Sequence, residues 1–193
     1  MALAKSMTFS GYYEWLERLT LTERLFLTLV FSGLTGLFAQ FRIALPFTPI
    51  PLTGQVFAVL LSGIILKGVY GGLAMLFYLL LGFAGLPWFS GFKPGLPIGP
   101  TTGYIIGFIP AALFVGLLGF QSSRFINQLL VMFVAVLIIY CTGTLHLALF
   151  MNLNLSQALF MGVLPFIPLD LVKVLIVASI SRFLVITSGI GKR

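Results

Sequence analysis

The chain has 193 residues, 60% of them hydrophobic and 8% charged, with a formal charge of +7. A soluble domain carries about 25% charged residues, so a water-facing surface cannot be assembled from this inventory and an integral membrane protein is expected. The single cysteine, Cys141, excludes an intrachain disulfide and a cysteine-rich metal site, and the scattered basic residues argue against a nucleic-acid patch.

Residues 1–24 precede the first apolar run and lack the apolar core of a secretory leader. Within them "YYEWLERLTLTERL" (Tyr12–Leu25) reads either as an interfacial amphipathic helix or as a tail leading into the first span. Six apolar runs follow: Leu25–Phe41, Thr53–Leu66, Val69–Leu86, Tyr104–Phe120, Leu129–Phe150 and Leu169–Ile186. A bilayer core takes about 20 apolar residues in helix, so most runs fit once their flanks are counted, and the second is short. The expected architecture is all-α with six transmembrane helices in residues 25–187, between an N-terminal segment 1–24 and a tail 188–193.

The breaks between runs are irregular. "RIALPFTPIPLTGQ" (Arg42–Gln55) holds three prolines, which a continuous helix does not tolerate. "GLPWFSGFKPGLPIGPTTG" (Gly85–Gly103) is rich in Gly and Pro, "QSSRFINQ" is a short polar turn, and Met151–Pro168 is a mixed connector. With the N-terminus in the cytoplasm, Lys5, Arg18, Arg24, Lys67, Arg124, Arg182, Lys192 and Arg193 fall inside. Arg42 and Lys93 fall outside, so the positive-inside rule gives both termini as cytoplasmic.

This topology puts the two Gly/Pro-rich loops and the start of the sixth run on the outer side. Asp170 and Lys173 in "PLDLVK" are there too, three residues apart and on one helix face. Each would cost about 2.5–3.5 kcal/mol near a helix centre. An outward-facing pocket accounts for the charges and the irregular backbone together. A structural alternative remains open at this level: an acidic residue suits the first turn of a helix, and a lysine can snorkel outward. Gln55 is a pocket amide or an interfacial polar residue. Trp88 and Phe89 are belt aromatics or a stacking surface. His146, with no second histidine, reads as a packed core residue rather than a metal ligand. Thr28, Ser32 and Gly36, and Gly103 with Gly107, set small residues four apart, where another helix can approach, from this chain or from a partner.

No Walker-type loop, Ser/His or paired-aspartate constellation, CxxC or HExxH is present. A small-molecule binding subunit therefore fits better than a channel or an intramembrane enzyme.

The pieces "PFTPIPLTGQ", "YLLLGFAGLPWFSG", "GPTTGYIIGF" and "PLDLVK", in this order, resemble the BioY family of bacterial biotin transporters. The resemblance implies a six-helix S component of an energy-coupling-factor (ECF) transporter in the bacterial plasma membrane. Such a protein captures biotin from outside and works with a transmembrane coupling subunit and two ABC-type ATPases. It uses no cofactor, biotin being the cargo. The binding role is carried onto Asp170, as acceptor for a ureido N–H, and Lys173, as partner of the carboxylate. Lys93 is a second cation for the carboxylate, and Gln55, Trp88, Phe89 and Tyr104 are further pocket candidates. The coupling face is carried onto Thr28, Ser32 and Gly36, where the family commonly has alanines. The alternatives are an S component for another small vitamin and, in a different class, an intramembrane enzyme.

Overall fold

The structure, a computed structural model, describes residues 10–95, 98–122 and 124–187. Lys5, Lys192 and Arg193 of the charge asymmetry and the tail 188–193 lie outside these residues. The described elements are helices α1 (Ser10–Arg18), α2 (Leu21–Gln40), α3 (Gln55–Leu66), α4 (Tyr70–Phe83), α5 (Thr102–Leu118), α6 (Phe125–Met151), α7 (Leu155–Gly162) and α8 (Ile167–Thr187), with a two-stranded hairpin, β1 (Arg42–Ile43) and β2 (Leu52–Thr53).

Each apolar run becomes a helix, and the Gly- and Pro-rich breaks become the loops. The helices α2 and α6 are long and apolar enough to cross a bilayer, and α7 with α8 pass the same test as one span bent by 56°. Helices α3, α4 and α5 have 12, 14 and 17 residues. At 1.5 Å per residue they reach about 18–26 Å, short of a hydrocarbon core of about 30 Å. The outer surface stays apolar: Phe26, Leu37, Leu117, Leu145, Leu149 and Phe183 are all more than half exposed. Such side chains suit lipid, and the chain is a membrane protein.

The segment Tyr12–Leu25 is two helices, not one. Thr20 caps α2, and its hydroxyl and backbone N–H meet Glu23 in a capping box (Thr20 N–H to Glu23 Oε2, 2.8 Å). That local alternative ends α1 at Arg18. Nor is α1 a loose tail. Tyr12 donates to the Ile65 carbonyl at 2.9 Å, Leu16 is buried, and Glu17 pairs with Lys67 at 3.0 Å. Burial pushes the Tyr12 phenol up to about 12, so it stays a neutral donor at ordinary pH. The connector after α6 also differs from expectation. Asn154 and Gln157 form a capping box that starts the short helix α7.

Small residues set the helix spacing. A side chain at Gly103 would overlap His146, and one at Gly107 would overlap the Thr142 hydroxyl, so α5 lies closely against α6. On α2, Thr28 and Ser32 are fully buried, and Ser32 donates to the Ala74 carbonyl of α4 at 2.7 Å. A Cβ at Gly36 would stand 2.8 Å from the Trp88 Cβ. The expectation that Thr28, Ser32 and Gly36 face a second protein is therefore corrected: that stripe packs inside the chain, against α4 and the loop that follows it.

The bundle has two unlike ends. At one, Gly68 N–H reaches the Gly116 carbonyl at 2.8 Å, Lys67 pairs with Glu17, and Ser181 bonds to Gln128. Arg18, Arg24, Arg124 and Arg182 belong to helix ends or loops on this side. At the other end, the loops 41–54 and 84–101 and the start of α8 come together.

Candidate functional site

The hairpin and the two irregular loops enclose a cavity of about 410 Å³, inside the usual range of small-molecule sites, about 300–1,000 Å³. Its construction begins with backbone placement. Gly54 N–H bonds to the Phe38 carbonyl at 3.1 Å, which folds the Pro-rich loop back onto the end of α2. Gln40, on the last turn of α2, donates to the carbonyls of Trp88 (3.1 Å) and Phe89 (3.3 Å) and accepts from Phe92 N–H (3.1 Å). Gly95 N–H bonds to Gly82 O at 3.0 Å, and His146 Nε2 is 3.0 Å from the Gly99 carbonyl. The loop 84–101 is thus held from α2, α4 and α6. His146 serves as one of its pins, consistent with a packed, hydrogen-bonded histidine.

At the inner end sits a charged cluster. Pro168 stands in the first turn of α8, where its missing N–H costs no helix bond, and Asp170 follows with its N–H bonded to Phe166 O at 2.9 Å. Asp170 is 4% exposed. Its Oδ1 accepts from Lys173 Nζ at 2.7 Å and its Oδ2 from the Tyr140 hydroxyl at 2.7 Å. Lys173 Nζ also donates to the Thr53 carbonyl at 2.8 Å, which ties α8 to the hairpin. Lys173 therefore does not snorkel away from Asp170; the two meet. One N–H of the ammonium and the further lone pairs of the carboxylate remain for a ligand.

The other expected site residues divide. Gln55, Phe89, Lys93 and Tyr104 line the cavity with Asp170 and Lys173, and Trp88 does not. The Gln55 amide also has work inside the protein: it donates to the Tyr78 hydroxyl at 2.9 Å and accepts from Thr53 Oγ1 at 3.0 Å. Phe89 is buried, edge-on to Tyr78 with centroids 5.2 Å apart. The Tyr104 hydroxyl donates to Gly162 O at 2.9 Å, leaving its ring to face the cavity. Lys93 is exposed, at the rim. Trp88 is corrected from a stacking surface to a packing residue: its ring lies on Tyr78 (5.4 Å) and its Nε1–H donates to the Tyr78 carbonyl at 3.0 Å.

The lining also includes residues outside the expected set, Arg42 and Tyr140 among them. In the sequence Arg42 carries only a topology signal. Tyr140 lies in an apolar run beside Thr142 and Thr144, where nothing local marks one hydroxyl as facing a cavity. With them, the wall carries the cations Arg42, Lys93 and Lys173 against the carboxylate Asp170. The cavity therefore has a compensated pair at its buried end and a surplus of positive charge at its rim. Such a site suits a small, largely apolar ligand with a neutral hydrogen-bonding head and an anionic tail.

The BioY family model matches residues 7–188. The chain belongs to the BioY family. Its match includes the four motifs that carried the resemblance, all of which contribute cavity residues. Among curated relatives, the "Probable biotin transporter BioY" of Pyrococcus horikoshii is 42% identical over 149 residues, covering 76% of this chain and 86% of that protein. The "Biotin transporter BioY" of Thermotoga maritima is 39% identical over 141 residues, covering 72% and 83%. Among solved structures, the S component for biotin from an ECF-type ABC transporter superposes with a TM-score of 0.76 at 23% identity, covering 83% of this chain and 89% of that one. At that identity the superposition shows a shared fold.

Proposed function

We propose that this chain is the biotin-capturing S component of an ECF transporter, seated in the plasma membrane with its cavity outward. BioY membership and relatives named as biotin transporters support the substrate. The fold shared with a biotin S component supports assembly with a coupling subunit and ATPases. The alternative of an intramembrane enzyme is set aside, since the chain belongs to a transporter family.

The observation that carries the reading is the polarity of the cavity. Biotin has a ureido head with two N–H donors and one carbonyl, an apolar bicycle, and a carboxylate at the end of an aliphatic chain. Asp170 offers acceptor positions for the ureido N–H groups, and the free N–H of Lys173 a donor for the ureido carbonyl. Phe89, Phe108 and the Tyr104 ring offer apolar walls for the bicycle. Lys173, engaged with Asp170 and Thr53, serves the head better than the carboxylate, which revises its expected role. The six runs are read as six spans, with α3, α4 and α5 crossing where neighbours cover their ends. The arginine-rich end faces the cytoplasm.

Sidedness and ligand are tested together with single cysteines in a Cys141→Ser background. Ile98 is 73% exposed at the cavity rim, and Gln121 is exposed at the opposite end. In intact cells, Ile98→Cys should react with an impermeant maleimide and be shielded by biotin but not by thiamine. Gln121→Cys should react only after permeabilisation. Labelling of both from the same side would overturn the orientation, and shielding by thiamine alone would overturn the substrate.

A further inference from the structure

The rim of the cavity holds a cation whose counter-ion the chain does not supply. Among the described residues the acids are Glu14, Glu17 and Glu23, near α1 at the far end, and Asp170, which is already engaged by Lys173 and Tyr140. No described hydrogen bond or ion pair involves the Arg42 side chain, though Arg42 lines the cavity.

Its position is built rather than incidental. Arg42 stands directly across the hairpin from Thr53, and directly opposed side chains of an antiparallel pair share a face. That face is the cavity's: Arg42 and Thr53 both line it, and the Thr53 hydroxyl bonds Gln55, another lining residue. The guanidinium then lies against Gly91, where any Cβ would overlap Arg42 Nη1. Gly91 also has φ +81°, in the region glycine alone adopts without strain. The turn Phe89–Lys93 is thus shaped to receive an arginine from the neighbouring loop and brings Lys93 to the same rim. A guanidinium presents a planar fork of donors that fits a carboxylate with two parallel bonds, whereas an ammonium acts as a point charge.

We infer that Arg42, seated by Gly91, is the anchor for the ligand's carboxylate and sets the site's preference for an acid over its neutral derivatives. This rests on the biotin reading of the same cavity. Lys93 contributes charge at the rim, and Arg42 contributes the directed contact. The buried Asp170–Lys173 pair then reads the head and the hairpin arginine reads the tail. The site measures the separation between them.

The test is equilibrium binding of biotin and of biotin methyl ester to the purified full chain and to Arg42→Gln, Arg42→Lys and Gly91→Ala. The unchanged chain should favour the acid. Arg42→Gln should lose about tenfold or more in biotin affinity, as expected for a lost charge-assisted bond, and change the ester by less than about threefold, which removes the preference. Arg42→Lys should recover part of it. Gly91→Ala, which displaces the guanidinium without deleting it, should show the same selective loss. Arg42 is exposed, so melting of Arg42→Gln should match that of the unchanged chain. If Arg42→Gln keeps its preference for the acid, or loses acid and ester equally, the anchor assignment falls while the biotin reading stands. If the unchanged chain binds neither compound, the biotin reading itself falls and the anchor with it.

Discussion

Asp170→Asn should weaken biotin binding by about tenfold to a hundredfold, and Lys173→Met should do likewise. A hydrogen bond to a charged group contributes about 1.5–3 kcal/mol, and each 1.4 kcal/mol is about tenfold in affinity. The change to asparagine keeps the shape but replaces two carboxylate acceptors, already holding Lys173 and Tyr140, with one carbonyl and a donor. The loss should be the same for biotin and its methyl ester, because the pair reads the head. This distinguishes it from Arg42, whose defect is confined to the acid. Stability gives the second readout. Removing one member of a buried ion pair costs about 3–5 kcal/mol, whereas replacing both costs far less. Thermal unfolding in detergent should therefore show Asp170→Asn/Lys173→Met more stable than the sum of the single changes requires. All three variants should bind biotin poorly. A double variant that regains both stability and binding would reduce the pair to a structural role.

Gly107→Val should destabilise the bundle by about 1–3 kcal/mol or more, the usual cost of overpacking. The first atom of any side chain there overlaps the Thr142 hydroxyl, and the Ile139 backbone lies just beyond. Backbone cannot rotate aside as the tip of a long side chain can. The effect should reach the cavity, because Tyr104 and Ile105 on α5 and Ile139 and Tyr140 on α6 line it from the two helices forced apart. The expected result is a lower melting temperature together with weaker biotin binding. Gly33→Val is the control: no atom lies within 4 Å of a Cβ there, so it should leave both nearly unchanged.

What could be read from the sequence follows from which signals are local. The apolar runs mark helices because length and hydropathy are properties of a segment. Asp170 and Lys173 stand out because a charge in an apolar run needs a reason. The N-terminal helix break is written locally too, in Thr20 and Glu23, but it was overshadowed by the amphipathic pattern on both sides. Other features depend on distant contacts. Nothing near Trp88 says that Gly36 makes room for its ring, or that its indole N–H meets Tyr78 O and not a ligand. Small residues at four-residue spacing permit close approach but do not name the partner, and for Thr28, Ser32 and Gly36 the partner is within the chain. Arg42 draws attention only once the hairpin sets it opposite Thr53 and the turn at Gly91 receives it.

The claim on which the rest depends is that this cavity holds biotin, and titration of the purified chain in detergent with biotin tests it most directly. Biotin should bind saturably and stay undisplaced by excess thiamine or riboflavin. Asp170→Asn should shift the curve by at least tenfold. Preferential binding of thiamine or riboflavin, or biotin binding indifferent to Asp170, would contradict the account.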